Sequence, residues 1–227
     1  DESYIFTYLW EGSIQKSYFD IHGIKYEKYM LDYDRQLIPH CKEIEYEKRK
    51  NIVDLINIYD GKFNKIGMKI GKSNPLSKSW YEDKRKKNRS IFSQLKNNTE
   101  NYFRTVTKTK SIDNMYTVFK PYCKYVKGEG YTKGFVSCNA RGTNEFKNKK
   151  SLAYLINFFM SPDIKQFVEH YHIEFDDNLF SLSALLQWIW RSQIRDGKSI
   201  DLYIPSERMR ELLKIWINEC KTMSEAA

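Results

Sequence analysis

The chain has 227 residues, of which 41% are hydrophobic and 30% are charged, and its formal net charge is +9. This length allows one large domain or two small ones with a buried core, and the composition excludes a disordered or fibrous protein. No run approaches the roughly 20 consecutive apolar residues of a membrane-spanning helix, so we predict a protein without a membrane partner.

The first 90 residues are predicted to form a mixed α/β region or accessory module. Residues 4–10 and 24–33 are rich in β-branched and aromatic side chains and favour strands. Residues 42–59 place apolar side chains at helical spacing among charges, which indicates an amphipathic helix.

Residues 67–73 end in Gly-Lys-Ser, as a phosphate-binding loop does. That loop requires four residues between its first glycine and the Gly-Lys-Ser, whereas three separate them here. The following Asn74-Pro75 is also a poor start for the helix that should receive the phosphate. The sequence therefore argues against a phosphate loop at this position.

A helical pattern begins at residue 91, and strand and helix patterns alternate from about residue 112 to 220. Helices are predicted over residues 91–103, 115–125, 151–160, 180–195 and 207–220, and strands over 131–139 and 200–204. This alternation predicts an α/β domain over residues 91–227, with a parallel sheet flanked by helices.

The cysteines and the start of the chain favour a reduced compartment. The four cysteines lack the paired spacing of a zinc site; they are Cys41, Cys123, Cys138 and Cys220. The first residues lack the basic and apolar regions of a signal peptide. We expect a cytoplasmic protein with no metal site, whose thiols are packing residues.

The positive charge is concentrated in one segment. Residues 72–150 contain 19 basic and six acidic residues, a net charge of +13, which leaves −4 for the rest of the chain. A positive field of this size is typical of proteins that bind the phosphates of nucleic acids. A solvated lysine-rich surface explains the charge equally well.

Three polar residues near position 190 share a helical spacing. Gln187, Arg191 and Arg195 lie four residues apart, which would stack them on one face of the predicted helix. A planar guanidinium is suited to gripping phosphate oxygens. Pairing with local carboxylates such as Asp176 or Asp177 is the alternative.

Several segments together resemble a known family. Residues 185–195 resemble the last conserved motif of superfamily 2 helicases, and residues 130–146, with their Ala-Arg-Gly-Thr loop, are similar to the motif before it. Adding residues 114–120, 152–155 and 203–209, the chain from about 90 to 217 resembles the C-terminal part of DEAD/DEAH-type helicase-like proteins of phages, plasmids and other mobile elements.

The resemblance implies that residues 91–227 form a second RecA-like domain, with the first 90 residues as an accessory module. In such a domain, Arg191 and Arg195 would reach the γ-phosphate of ATP, and Gln187 would contact the phosphate or the attacking water. The residues implied to contact the nucleic-acid backbone are Arg141, Thr143, Asn144, Thr117 and Lys120. Asn144 as a turn cap and Thr117 as an ordinary helix residue are the simpler interpretations.

The sequence departs from the family in two ways. Trp190 replaces the usual glycine before the first arginine, and the second arginine follows four residues later instead of three. Neither a phosphate loop nor a strand followed by Asp-Glu-x-Asp/His is present to supply the lysine and the magnesium carboxylate. We therefore expect ATP and Mg²⁺ to bind only together with an N-terminal RecA-like ATPase domain, in the same or another chain.

Two functions follow as hypotheses. The first is the C-terminal motor domain of a nucleic-acid-dependent ATPase or helicase, inactive as this chain alone and partnered by DNA or RNA. The second is a non-enzymatic, basic nucleic-acid-binding module. A nuclease is disfavoured because no clustered carboxylates or metal ligands are evident.

Overall fold

The computed structural model describes residues 3–140 and 144–225. Its helices of four or more α-helical residues are α1 (Ile14–Ile21), α2 (Lys42–Val53), α3 (Lys78–Lys87), α4 (Ser90–Asn101), α5 (Cys123–Val126), α6 (Pro162–His170), α7 (Asp177–Ile189) and α8 (Glu207–Glu225). Its strands are β1 (Tyr29–Leu31), β2 (Leu37–Pro39), β3 (Ile56–Ile58), β4 (Asn114–Thr117), β5 (Ser151–Tyr154) and β6 (Ile200–Tyr203).

A four-stranded parallel sheet organises the molecule, in the order β3-β6-β5-β4. Its two middle strands and β4 are short apolar runs, and β4 and β5 are fully buried, as expected when helices cover both faces of a parallel sheet. Because β3 precedes residue 90, the sheet draws on the chain on both sides of that position. Strands β1 and β2 form a separate antiparallel pair.

Two hydrophobic cores lie on the two faces of the sheet. One face, with Leu152 and Leu202, packs against α7 and α8. The other face, with Ala153 and Tyr203, packs against the layer that contains α3, α4 and α5. The predicted α/β class, a parallel sheet flanked by helices, is confirmed.

Several predicted elements are wrong in type. Residues 4–10 contain no strand, and a 3₁₀ turn follows at Trp10–Gly12. The helices predicted over residues 115–125 and 151–160 begin as strands β4 and β5, because strands buried on both faces lose the two-residue alternation and resemble buried helices.

Two further predictions are partly correct. The helix predicted over residues 42–59 ends at Val53, and the chain turns into β3. The strand predicted over residues 131–139 is reduced to one parallel bridge between Tyr116 and Phe135. By contrast, the strand near residue 200 and the last helix are confirmed as β6 and α8.

Across the described part of the chain, each helix is too short or too polar to cross a bilayer.

Candidate functional site

The helices on one face of the sheet form a layer held together by aromatic contacts. The ring of Tyr81 on α3 lies 5.8 Å from Phe92 on α4 and 4.9 Å from Tyr122, and Phe92 lies 5.4 Å from Tyr125 on α5. These contacts bring three helices that are separate in sequence into one surface. We call α3, α4, α5 and their connections, residues 78–133, the basic layer.

The basic layer carries a large excess of positive charge. Residues 78–133 contain 14 basic and five acidic residues, a net charge of +9. Residues 151–225, which supply β5, β6 and the helices α6, α7 and α8, contain eight basic and 11 acidic residues, a net charge of −3. The excess positive charge is therefore concentrated in the basic layer.

The last turn of α3 is the densest part of this layer. Lys87 pairs with Asp83 at 2.7 Å, whereas the exposed Arg85 and Lys86 form no ion pair with any described carboxylate. Cations in the last turn of a helix are stabilised by the partial negative charge of its C-terminus. This arrangement holds charge at the surface, where an anionic polymer can reach it.

The prediction that Gln187, Arg191 and Arg195 share one helical face is wrong. Helix α7 ends at Ile189, and the chain continues through a turn into the 3₁₀ segment Gln193–Asp196. The Ser192 hydroxyl donates to the Ile189 carbonyl at 2.7 Å and so competes with continuation of the helix.

The three side chains have different surroundings. Gln187 Nε2 donates to Ser183 Oγ at 3.0 Å, and Arg195 Nη1 donates to Asn144 Oδ1 at 2.8 Å. Arg191 is half-buried. Asp176 and Asp177 begin α7 and lie at its opposite end, so they are not the partners of these arginines.

The Arg195 contact joins two segments that resemble consecutive helicase motifs. The same region lies at the amino ends of the central strands, because Gln193 N donates to Lys149 O just before β5 begins. Open α/β sheets usually bind ligands at the opposite edge, beyond the carboxyl ends of their strands. Arg141 and Thr143 lie outside the described residues.

The two remaining predicted contacts differ in accessibility. Thr117, the last residue of β4, is fully buried, and its hydroxyl has no hydrogen-bond partner in the described structure. Lys120 is exposed and belongs to the basic layer. Of this pair, only Lys120 is at the surface.

A cavity of about 230 Å³ lies on the same face of the sheet as the basic layer. Its lining residues are Asn57, Ile58, Tyr59, Tyr102, Val106, Thr107 and Asp201. Three of them come from a π-helical turn, Tyr102–Val106, and the residue after it, directly beyond α4. Such turns are rare and occur frequently at functional sites.

A row of polar residues crosses the sheet beside this cavity. Asn57, Asp201, Ser151 and Asn114 stand in register on four neighbouring strands. Ser151 Oγ donates to Thr107 Oγ1 at 3.1 Å, and Asn57 Nδ2 lies 3.4 Å from Asp201 Oδ1. The buried end of the row is satisfied internally, and the end at the edge strand β3 faces the cavity.

The sequence of the chain matches the model of a protein family. The model of the YonV C-terminal Rossmann-like domain matches residues 50–217. The chain belongs to this family. The SPbeta prophage-derived uncharacterized protein YonV of Bacillus subtilis (strain 168) is 42% identical over 217 residues, which are 94% of this chain and 51% of that protein. No solved structure is similar enough to count as a match.

The chain therefore spans about half the length of the curated relative that it matches. That relative derives from a prophage, in agreement with the mobile-element origin that the resemblance implied. The family model begins at residue 50 and includes β3.

The sequence reasoning missed the cavity residues of this Rossmann-like domain. The available signal was a polar residue inside each of two apolar strands, in Ile56-Asn57-Ile58 and Ile200-Asp201-Leu202. Within the described ranges, no group of three or more His, Cys, Asp or Glu side chains is placed to hold a metal ion.

Proposed function

We propose that this Rossmann-like domain binds DNA or RNA through the basic layer and has no catalytic activity of its own. The observation that carries the proposal is the concentration of positive charge in the basic layer, +9 in residues 78–133 against −3 in residues 151–225. Phosphate binding to clustered lysine and arginine is driven by counterion release and does not require a deep pocket. A one-sided basic surface is the footprint expected of such a protein.

The geometry of the layer supports contact with a polymer rather than a single phosphate. Exposed cations at the end of α3 and around α5 are brought together by the Phe92 contacts with Tyr122 and Tyr125. They are Arg85, Lys86, Lys87, Arg89, Lys120, Lys124 and Lys127. Several point charges spread over a helical surface match a chain of phosphates.

Charge reversal tests this proposal. The triple variant Arg85→Glu/Lys86→Glu/Lys127→Glu should bind a fluorescent single-stranded or duplex oligonucleotide at least about tenfold more weakly than the wild type, measured by anisotropy at low salt. The matched control Lys165→Glu/Lys198→Glu/Lys214→Glu changes the net charge equally outside the basic layer and should retain most of the affinity. Equal losses in the two variants would reject the basic layer as the binding surface.

A second candidate function is a motor domain that supplies arginine fingers to an ATPase domain elsewhere. The contact between Arg195 and Asn144 favours it, because it couples the two segments that resemble neighbouring helicase motifs. In this candidate, Arg191 and Arg195 would stabilise charge on the transferring phosphoryl group of an ATP that another domain holds. The ATPase site would belong to that other domain, in the same or another chain.

The assembly of this chain with such an ATPase domain provides the test of the motor candidate. If it hydrolyses ATP in the presence of nucleic acid, Arg195→Lys and Arg191→Lys should each lower kcat by about 10³-fold or more while oligonucleotide affinity is unchanged. Lys198→Ala, a nearby exposed cation, serves as the control. Full ATPase activity in both arginine variants, or none in the wild type, would eliminate this candidate.

A further inference from the structure

The cavity beside β3 has walls of two kinds. Asn57, Asp201, Tyr102 and Thr107 bring polar groups, and Ile58, Tyr59 and Val106 bring apolar or aromatic surface. The Asp201 carboxylate, half-buried on β6, is the only charged group of the described lining. A ligand for this cavity therefore needs an apolar body with a hydrogen-bond donor at its edge.

Tyr102 supplies a buried hydroxyl at this site. Its side chain is 1% exposed. Ser151 lies close by, and its hydroxyl, which donates to Thr107, can still accept from Tyr102. Burial and the nearby Asp201 carboxylate raise the pKa of Tyr102, so the hydroxyl keeps its proton and remains a donor.

The backbone holds this side chain in place by an unusual turn. The α-helical pattern of α4 widens into the π-helical turn Tyr102–Val106, after which Thr107 N donates to Tyr102 O at 3.0 Å. The turn places Tyr102, Val106 and Thr107 together at the cavity wall. Such π-helical turns occur frequently at functional sites.

We propose that the cavity beside β3 receives a single nucleobase that carries an exocyclic amino group, with Asp201 accepting hydrogen bonds from that group. This inference rests on the proposed nucleic-acid binding and adds base recognition to it. Asn57 offers a further donor and acceptor to the ring edge, and the ring of Tyr59 and the side chains of Ile58 and Val106 cover its apolar body.

The size of the cavity favours a base over a larger ligand. A volume of about 230 Å³ lies below the roughly 300 Å³ at which pockets for drug-sized molecules begin. Proteins that read unpaired bases combine hydrogen bonds to the base edge with aromatic or apolar contacts to its faces. An aspartate or glutamate that accepts from the cytosine amino group is a known form of base recognition.

The cavity lies next to the basic layer. Both lie on the face of the sheet that Tyr203 and Tyr102 cover, and the cavity opens beside α4, which is part of the layer. The exposed Arg104 lies on the π-helical turn itself, and Lys108 follows it. A strand bound by its phosphates on these cations could place one base in the cavity.

Matched oligonucleotides test the inference. Oligo-deoxycytidine and oligo-deoxyuridine of one length differ at each base in the exocyclic group, amino against carbonyl, and in the adjacent ring nitrogen, which accepts in cytosine and donates in uracil. The wild type should bind the cytidine oligomer at least about fivefold more tightly at slightly alkaline pH. Asp201→Asn and Asn57→Ala should reduce this preference, whereas Asp163→Asn, an exposed aspartate on α6, should keep it.

Experiments with mononucleotides distinguish the two possible sources of the base, a free nucleotide and a nucleic-acid strand. Binding of dCMP in preference to dUMP, lost in Asp201→Asn, would support the cavity as a site for free nucleotides, and preference confined to oligomers would support a site for a polymer. Salt-dependent binding without any cytidine preference would overturn this inference and leave the proposed function intact. Absence of salt-dependent binding would overturn the proposed function. The comparison of dCMP with dUMP would then be the remaining test of base binding in the cavity.

Discussion

At the scale of single residues, the tyrosine content of the protein is used mainly for packing. Six tyrosines are among its largest fully buried side chains: Tyr81, Tyr102, Tyr116, Tyr131, Tyr154 and Tyr203. Their hydroxyls differ in hydrogen bonding. Tyr81 Oη donates to Leu155 O at 2.6 Å, whereas Tyr154 Oη has no hydrogen-bond partner in the described structure. Buried hydroxyls of these two kinds should make opposite contributions to stability.

Removing each hydroxyl measures that difference. Tyr81→Phe should lower the free energy of unfolding by about 1–2 kcal/mol, because it leaves the buried Leu155 carbonyl without its donor. Tyr154→Phe should leave it unchanged or raise it by up to about 1 kcal/mol, because it removes an unsatisfied group. Urea unfolding of both variants checks this, and a larger loss in Tyr154→Phe would show that its hydroxyl is satisfied in solution.

At the scale of elements, the sequence predicted best where its local signals were unambiguous. The strand at 200–204 alternates and lies between Gly197 and Pro205, and the last helix follows at once. Strands β4 and β5 were missed because burial on both faces removes alternation. The cavity could not be predicted, since Asn57 and Asp201 are 144 positions apart and meet only through strand pairing.

Gly67 lies where the connection after β3 contacts the connection after β6, and its substitution tests how closely these two segments pack. Gly67 ends the 3₁₀ segment Lys62–Gly67, and a Cβ there would lie 2.1 Å from Pro205 O, a backbone atom beyond β6. Gly67→Ala should therefore lower the free energy of unfolding by about 1–3 kcal/mol.

Gly71→Ala is the comparison for this variant. Gly71 has open space around its Cβ position and a φ of +59°, so its substitution carries only the cost of the left-handed backbone, about 1 kcal/mol. Chemical unfolding should rank Gly67→Ala as the more destabilised of the two. The reverse order would mean that the Gly67 connection moves away from Pro205 without cost.

At the scale of the whole molecule, the excess positive charge is concentrated in the basic layer on one face of the sheet. Residues 151–225, which supply α7 and α8 on the other face, have a net charge of −3. The fold class was predictable from alternating patterns, and the excess of charge was visible in the sequence. Its assignment to one face required the structure, because aromatic contacts between α3, α4 and α5 assemble that face.

The salt dependence of oligonucleotide binding tests the central claim most directly. For the wild type, the logarithm of the association constant should fall linearly with the logarithm of salt concentration. The slope should become shallower by about 2 in Arg85→Glu/Lys86→Glu/Lys127→Glu, because each lost phosphate contact removes about 0.7–0.9. The control Lys165→Glu/Lys198→Glu/Lys214→Glu should keep the wild-type slope. Binding that does not respond to salt, or identical slopes in the two triple variants, would contradict a nucleic-acid interface on the basic layer.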